Sequence, residues 1–200
     1  MTTLAPTIYT RTFPRAAGWL RDVILILSGA LFVAVLAQVK IPLPFTPVPL
    51  TGQTFAVLLV GATLGSTRGA ASMLLYIALG ALGLPVFAGG ASGMTYLSGA
   101  TLGYLVGFVM AATVIGLLAE RGLERSVRTS ILPFLIGTII IYVCGVAWLT
   151  IMLGSLNQAI AAGLLPFLIG DAIKLIAASI ALPAGWRLVG NKYFYRNPEE

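Results

Sequence analysis

Residues Val23–Val39 read VILILSGALFVAVLAQV and contain no charged side chain. A helix needs about 20 mostly apolar residues to cross the hydrocarbon core of a bilayer, or somewhat fewer when flanking groups reach the interface. The run follows Arg21 and Asp22 and stops at Lys40, where a cluster of prolines begins. It therefore predicts a membrane-spanning helix near the start of the chain.

The composition of the whole chain extends this prediction to all 200 residues. Hydrophobic residues make up 58% and charged residues only 9%, whereas about a quarter of the residues in a soluble domain are charged. Because so few charges cannot cover a water-facing surface, lipid must be the solvent for much of the protein. The sequence predicts one all-α, polytopic membrane domain over residues 1–200, with no room for a second, soluble domain.

Apolar segments alternate with short polar connections along the chain. They cover residues 23–39, 51–64, 69–84, 99–119, 131–152 and 166–189. The second and third are short and meet at a tight turn around Ser66, Thr67 and Arg68. Six membrane spans are therefore predicted, and four spans with the two short segments re-entrant are the main alternative.

Basic residues predict the orientation, because lysine and arginine concentrate on the cytoplasmic side of membrane proteins. With a cytoplasmic N-terminus, the outside connections hold only Lys40. The inside segments then hold Arg11, Arg15, Arg21, Arg68, Arg121, Arg125, Arg128, Arg187, Lys192 and Arg196. The protein is predicted to lie in the plasma membrane, with both termini on the cytoplasmic side. Charges clustered beside apolar runs also argue against a nucleic-acid surface.

Turn-forming residues are densest in the two connections that fall outside, Lys40–Leu50 and Pro85–Ser98. Irregular backbone near a membrane is tolerated where it lines a cavity or is covered by protein. We therefore expect a ligand pocket that opens to the outside.

Asp171 and Lys174 are the two charges in the interior of the predicted spans, since Arg187 lies at the cytoplasmic end of the last one. Three residues apart, they share one face of a helix, and intramembrane ionisable residues are functional candidates by default. A structural ion pair is the alternative. Gln53 could add an amide to the same pocket or face interfacial water. Aromatic residues could wall the pocket or belong to the core, and they are Tyr76, Phe87, Tyr104, Tyr142 and Trp148.

Several chemistries have no sequence support. The chain has no histidine and a single cysteine, Cys144, so a structural zinc site is excluded. No lysine stands in a Walker A motif, and no serine elbow, histidine base or metal cluster supports hydrolysis. These absences predict a protein that is not an enzyme and that holds no cofactor or metal. A small enzyme using Asp171 and Lys174 for proton transfer is a poorly supported alternative.

Small residues recur every three or four positions on two predicted helices and would allow close helix approach. Gly99, Gly103 and Gly107 favour packing inside the bundle. Ala30, Ala34 and Ala37 are predicted to face an external partner helix, because a first helix often lies at the periphery.

Three separated stretches read TPVPLTGQTFAVLLVG (Thr46–Gly61), GLPVFAGGASG (Gly83–Gly93) and GLLPFLIGDAIK (Gly163–Lys174). In sequence, order and spacing they resemble motifs of the BioY family of biotin transporters. The chain departs from the usual family pattern at Ala100, Leu102 and Ile169.

The resemblance implies a six-helix, high-affinity biotin-binding S component of an energy-coupling factor (ECF) transporter. The loop after the first helix would cap the site. A transmembrane scaffold subunit, docked on the alanine stripe, and two ATPase subunits would drive uptake. A self-sufficient, proton-coupled secondary transporter using Asp171 is the alternative.

Biotin carries a ureido ring with two N–H donors and a carbonyl, and a valerate carboxylate. We expect Asp171 to accept from the ureido N–H groups and Lys174 to donate to the ureido carbonyl. The apolar tail should pass the loop that contains Phe87. The predicted substrate-binding residues are Val48, Gln53, Phe87, Gly89, Gly90, Tyr104, Tyr142, Asp171 and Lys174.

Overall fold

A computed structural model describes residues 3–13 and 17–191, without the side chains of Arg11 and residues 188–191. The basic residues Arg15, Lys192 and Arg196, used above for orientation, lie outside the described residues. The described helices are α1 (Leu4–Thr12), α2 (Gly18–Gln38), α3 (Gln53–Leu64), α4 (Ser66–Ala81), α5 (Gly93–Leu97), α6 (Leu102–Glu120), α7 (Val127–Leu153), α8 (Leu156–Gly163) and α9 (Leu168–Asn191).

Four helical stretches within the described residues are long and apolar enough to cross a bilayer: Gly18–Gln38, Leu102–Glu120, Val127–Leu153 and Leu156–Arg187. The chain is thus a mostly helical, multi-pass membrane protein. Helix α3 is also apolar but has only 12 residues, which corresponds to a length of about 18 Å. The hydrocarbon core of a bilayer is thicker, about 30 Å.

A sharp turn joins α3 to α4 at Gly65. Its φ of 86° lies in the left-handed region, which glycine enters without steric cost. Helix α4 then begins at once, so the predicted turn residues Ser66, Thr67 and Arg68 are helical. Glu120, at the end of α6, fixes this turn because its Oε1 accepts hydrogen bonds from Ser66 N at 2.7 Å and Ser66 Oγ at 2.9 Å.

Short elements occur where loops were predicted. Residues Lys40–Ile41 (β1) and Leu50–Thr51 (β2) pair as an antiparallel hairpin, with Lys40 opposite Thr51. This small sheet departs from the all-α prediction. Helix α5 lies in the predicted connection Pro85–Ser98, which is rich in glycine, and α8 with a 3₁₀ turn at Leu165–Phe167 precedes α9. The hairpin, α5 and α8 lie together, and we call this the hairpin end of the bundle. The opposite end, which carries α1, is the α1 end.

The alanine stripe of α2 points into the bundle. Ala30 and Ala37 are 2% and 0% exposed, and Ala34 is partly buried against the core. The prediction that these alanines face an external partner helix therefore disagrees with the structure. Small side chains here allow α2 to approach α3 and α4. The outward face of α2 instead carries large apolar side chains, including Leu27, Leu31, Phe32 and Val35.

The part of the glycine stripe that lies in α6, Gly103 and Gly107, packs against α7, as predicted. A Cβ atom added to Gly107 would lie 2.9 Å from Ile141 Cα and 3.2 Å from Ile141 O. At the same interface, Trp148 Nε1 donates a hydrogen bond to Gly99 O at 2.9 Å. Helix α7 backbone therefore occupies the space that side chains on this stripe would need.

Replacing Gly107 by leucine is expected to lower the free energy of unfolding by at least about 2 kcal/mol, because the obstructing atoms are backbone. Thermal unfolding of the detergent-purified protein measures the change. Gly18→Leu is the matched control, since a Cβ atom at Gly18 meets nothing within 4 Å. Equal melting temperatures for the two variants would contradict this packing.

Glu124 is buried at the α1 end with no hydrogen-bond partner for either carboxylate oxygen among the described residues. It lies in the turn between α6 and α7, where Arg125 Nε is 4.0 Å from Glu124 Oε1, a long ion pair, and the Arg125 guanidinium stacks 5.0 Å from the centre of the Trp186 ring. Burial raises the pKa of the Glu124 carboxyl above its ordinary value. The folded protein therefore favours the protonated, neutral form more than the unfolded chain does.

Because folding raises this pKa, protonation of Glu124 contributes to the stability of the folded protein. This contribution is fully present below the ordinary pKa of 4.5. It is lost as the pH rises through the folded-state pKa. Glu124→Gln should therefore stabilise the protein by about 1 kcal/mol or more at pH 7, and the gain should vanish under acidic conditions. Melting temperatures across this pH range test the prediction, and a gain that does not change with pH would refute it.

Candidate functional site

A cavity lies at the hairpin end, between β2 and helices α3, α6, α7 and α9. It contains about 530 Å³ of space between its lining atoms, including the part open to solvent. The lining residues are Val48, Pro49, Leu50, Thr51, Gln53, Thr54, Tyr96, Thr101, Tyr104, Leu105, Phe108, Ile141, Tyr142, Phe167, Asp171 and Lys174. A mostly apolar wall with a few converging polar groups is typical of small-molecule sites.

Asp171 is the buried anion of this cavity, with 6% of the residue exposed. Its Oδ2 accepts a hydrogen bond from the Tyr142 hydroxyl at 2.6 Å. Its Oδ1 accepts from Thr54 Oγ1 at 2.9 Å and from Lys174 Nζ at 2.7 Å. Three helices thus position one carboxylate, because Tyr142 belongs to α7, Thr54 to α3 and Asp171 to the first turn of α9.

Lys174 connects α9 to the hairpin. Its ammonium donates to Thr51 O at 2.7 Å, to Thr54 Oγ1 at 3.0 Å and to Asp171 Oδ1 at 2.7 Å. A lysine ammonium has three hydrogens, so the donors of Lys174 are all engaged. Asp171 and Lys174 form an ion pair and also line the cavity. The sequence left open whether they were a structural ion pair or part of a functional site, and the structure combines both.

Several polar groups of the wall keep hydrogen-bond acceptor capacity. The hydroxyls of Tyr142 and Tyr104 donate to Asp171 Oδ2 and to Gly163 O, respectively, and each retains acceptor capacity. Gln53 Nε2 donates to the Tyr76 hydroxyl at 2.6 Å, which leaves one amide hydrogen without a partner among the described residues. A ligand rich in N–H donors would match this polarity.

The hairpin lies over the cavity, and contacts with α8 and with Lys174 fix it in this position. Thr46 Oγ1 donates to Ala162 O of α8 at 2.6 Å and accepts from Val48 N at 3.1 Å. Lys174 holds Thr51 at the other side. These contacts place Val48 and its neighbours on the cavity wall.

Six of the nine predicted substrate-binding residues line this one cavity: Val48, Gln53, Tyr104, Tyr142, Asp171 and Lys174. Phe87, Gly89 and Gly90 are not among the lining residues. Phe87 is fully buried, edge-on to Tyr76 at 5.6 Å and stacked on Tyr96 at 4.7 Å between ring centres. Tyr96 therefore stands between Phe87 and the cavity.

Several lining residues were not predicted from the sequence, among them Thr54, Tyr96, Phe108 and Phe167. Helical spacing contained a signal for two of them. Phe108 follows Tyr104 by four residues, and Phe167 precedes Asp171 by four, so each shares a face with a predicted site residue. Tyr96 had no such signal, because the short helix α5 lies in a stretch that reads as a glycine-rich loop.

The fold resembles a solved structure, the crystal structure at 2.1 Å of the S-component for biotin from an ECF-type ABC transporter. The TM-score is 0.75 at 26% identity, over 82% of this chain and 90% of that one. The fold and the cavity thus define a multi-pass helical membrane protein with the architecture of an S component.

The family follows from the sequence comparison. The BioY family model matches residues 6–191. The biotin transporter BioY of Thermotoga maritima is 39% identical over 156 residues, which cover 78% of this chain and 91% of that protein. The probable biotin transporter BioY of Pyrococcus horikoshii is 41% identical over 163 residues, covering 81% and 94%. The chain belongs to the BioY family, which confirms the resemblance found in its motifs.

Proposed function

We propose that this chain is a high-affinity biotin-binding S component, a transport protein rather than an enzyme. The observation that carries the proposal is the Asp171 carboxylate, which three donors orient at the wall of a largely apolar cavity. Relatives named biotin transporters and a neighbour titled the S-component for biotin support the same ligand.

Biotin complements the polarity of this wall. Its ureido N–H groups would donate to Asp171 Oδ2 and to a tyrosine hydroxyl with acceptor capacity, that of Tyr142 or Tyr104. Its ureido carbonyl would accept from Lys174, which must then share or release its bond to Thr51 O, or from the unused amide hydrogen of Gln53. The thioether ring and chain would pack on Tyr96 and the neighbouring apolar side chains.

The valerate chain would leave the cavity past Tyr96, toward the loop with Phe87, Gly89 and Gly90. This direction fits the stack of Phe87 on Tyr96. Phe87 then supports a ligand-contacting ring from behind, and the two glycines border the exit.

Titration of the detergent-purified protein with biotin and with a ureido N-methylated biotin tests the proposed site. Biotin should bind at one molecule per chain. The methylated analogue lacks an N–H donor and leaves a buried acceptor unpaired, a loss of about 1–3 kcal/mol, so it should bind at least about tenfold more weakly. Equal affinities for biotin and the methylated analogue would show that the protein does not recognise the ureido N–H groups as proposed.

We further propose that an ECF scaffold subunit and two ATPase subunits drive uptake. The outward face of α2 offers the scaffold large apolar side chains, while the alanines are used inside the bundle. The alternative is a self-sufficient, proton-coupled transporter that uses the buried Asp171. Uptake by proteoliposomes should need scaffold, ATPases and ATP, whereas uptake by the chain alone under a pH gradient would favour the alternative.

The proposed topology has six spans in the plasma membrane, with both termini in the cytoplasm. The described cations support it, because Arg21, Arg68, Arg121, Arg125, Arg128 and Arg187 lie at the α1 end, while Lys40 lies at the hairpin end. Cysteines placed singly at Ser126 and Ser92 in a Cys144→Ala background should be labelled from opposite sides of the membrane. Labelling of both from one side would exclude six spans.

A further inference from the structure

Lys40 is distinctive among the charges of the hairpin end. The stretches that build this end, residues 40–52, 82–101 and 154–167, contain no other charged residue. Asp171 and Lys174 form the charged part of the cavity wall, and they neutralise each other at 2.7 Å. Lys40 is exposed and has no ion pair or hydrogen-bond acceptor among the residues described. The hairpin end therefore has a net positive charge located at Lys40.

The side chain of Lys40 occupies the space that Gly89 leaves free. A Cβ atom on Gly89 would lie 2.7 Å from Lys40 Cδ and 3.2 Å from Lys40 Nζ. The φ of Gly89 is 70°, and its N–H donates to Ala37 O at 3.2 Å, just before β1. The methylene groups of Lys40 thus pack against the loop at Gly89, and the ammonium lies beside the same loop.

Lys40 is not itself a lining residue, but two of its neighbours place it beside the cavity wall. Lys40 pairs with Thr51 in the hairpin, and opposite residues in a ladder direct their side chains to the same face. Thr51 lines the cavity. On the other side, the loop that holds Lys40 continues from Phe87, which stacks on the cavity residue Tyr96.

We propose that Lys40 binds the carboxylate of the ligand at the mouth of the cavity, and this inference rests on the proposed function. The ureido ring and the carboxylate lie at opposite ends of biotin. With the ring at Asp171 and the chain leaving past Tyr96, the carboxylate emerges on the side of the Gly89 loop. The Lys40 ammonium, unpaired and close to that loop, is the complementary charge. It also attracts the anion during diffusional encounter.

Binding of biotin and of its uncharged methyl ester to three proteins tests this role: the wild type, Lys40→Gln and Lys40→Arg. For an exposed ion pair, Lys40→Gln should weaken biotin binding about threefold, mainly through a slower association rate. The difference should shrink at high salt, because exposed charges are screened. The methyl ester should bind wild type and Lys40→Gln equally, and Lys40→Arg should retain biotin affinity.

Arg128→Gln is the matched control, because it removes an exposed cation at the α1 end. It should leave biotin affinity unchanged, and unchanged melting temperatures should show that each variant is folded. A Lys40→Gln variant with wild-type biotin affinity, or with equal losses for biotin and its ester, would overturn the role of Lys40. Failure of the wild type to bind either ligand would instead refute the proposed function.

Discussion

Replacing Asp171 by asparagine is expected to lower the affinity for biotin by at least about tenfold. The amide cannot offer two anionic oxygens to the donors that surround it, and charge-assisted hydrogen bonds are worth about 1.5–3 kcal/mol each. Lys174 would also lose the carboxylate that it contacts at 2.7 Å. Breaking a buried pair on one side costs about 3–5 kcal/mol, so the melting temperature should fall as well. Equilibrium titration and thermal unfolding measure the two effects.

A double variant separates stability from recognition. Asp171→Asn combined with Lys174→Met removes both charges and should recover much of the lost stability, because no buried ion is left unpaired. Biotin binding should remain lost. Asp22→Asn is the control for the carboxylate itself, since Asp22 pairs with Arg21 and Arg68 at the α1 end and should not affect affinity. A folded Asp171→Asn variant with wild-type affinity would remove the basis of the proposed site.

Replacing Lys174 by methionine should have the second large effect. The variant keeps the apolar stem and loses three hydrogen bonds, including the one to Thr51 O that ties α9 to the hairpin. Biotin affinity should fall at least about tenfold, because the ureido carbonyl and Asp171 both lose a charged partner. Hydrogen exchange at the amide groups of β2 and Gly52 should also accelerate, because the hairpin is less firmly held.

A second hairpin variant provides the comparison for Lys174→Met. Thr46→Val removes the hydrogen bond to Ala162 O and should also accelerate exchange in the hairpin. Because Thr46 is not among the cavity-lining residues, the loss of affinity should be much smaller. If both variants lost affinity equally, the effect of Lys174 would come from the hairpin alone and not from a charge in the site.

Local patterns were sufficient to predict the parts of the site that lie within one segment. The spacing of Asp171 and Lys174 placed both on one face of a helix, and the structure pairs them directly. The contact of Lys174 with Thr51 could not be predicted in the same way, because 123 positions separate the two residues. Such a contact depends on how α9 packs against α3, which no single-segment pattern contains.

The two small-residue stripes show a further limit of sequence reasoning. The glycine stripe and the alanine stripe have similar spacing, and either could have faced a neighbouring helix of the bundle or an external partner. The structure turns both inward, against α7 for Gly107 and into the core for Ala30 and Ala37. The spacing of small residues identifies the face of a helix on which another helix can pack closely. Which helix packs there depends on the arrangement of the whole bundle.

Phe87 is another residue whose surroundings in the fold differ from those that its sequence motif predicted. Its motif predicted a direct ligand contact, whereas the structure buries it completely between Tyr76 and Tyr96. Aromatic side chains stack where a loop folds back on a helix, and the short helix α5 supplies the ring that faces the cavity. The loop glycine Gly89 then borders Lys40, and Gly90 lies near Gln38, so neither forms part of the cavity wall.

The most direct test is mass spectrometry of the small molecules that remain with the protein after purification in detergent from cells supplied with biotin. Wild type should retain biotin at about one molecule per chain, and folded Asp171→Asn should retain much less. Absence of biotin from the wild type, or the same amount of biotin on both proteins, would contradict the assignment of this cavity as the biotin site.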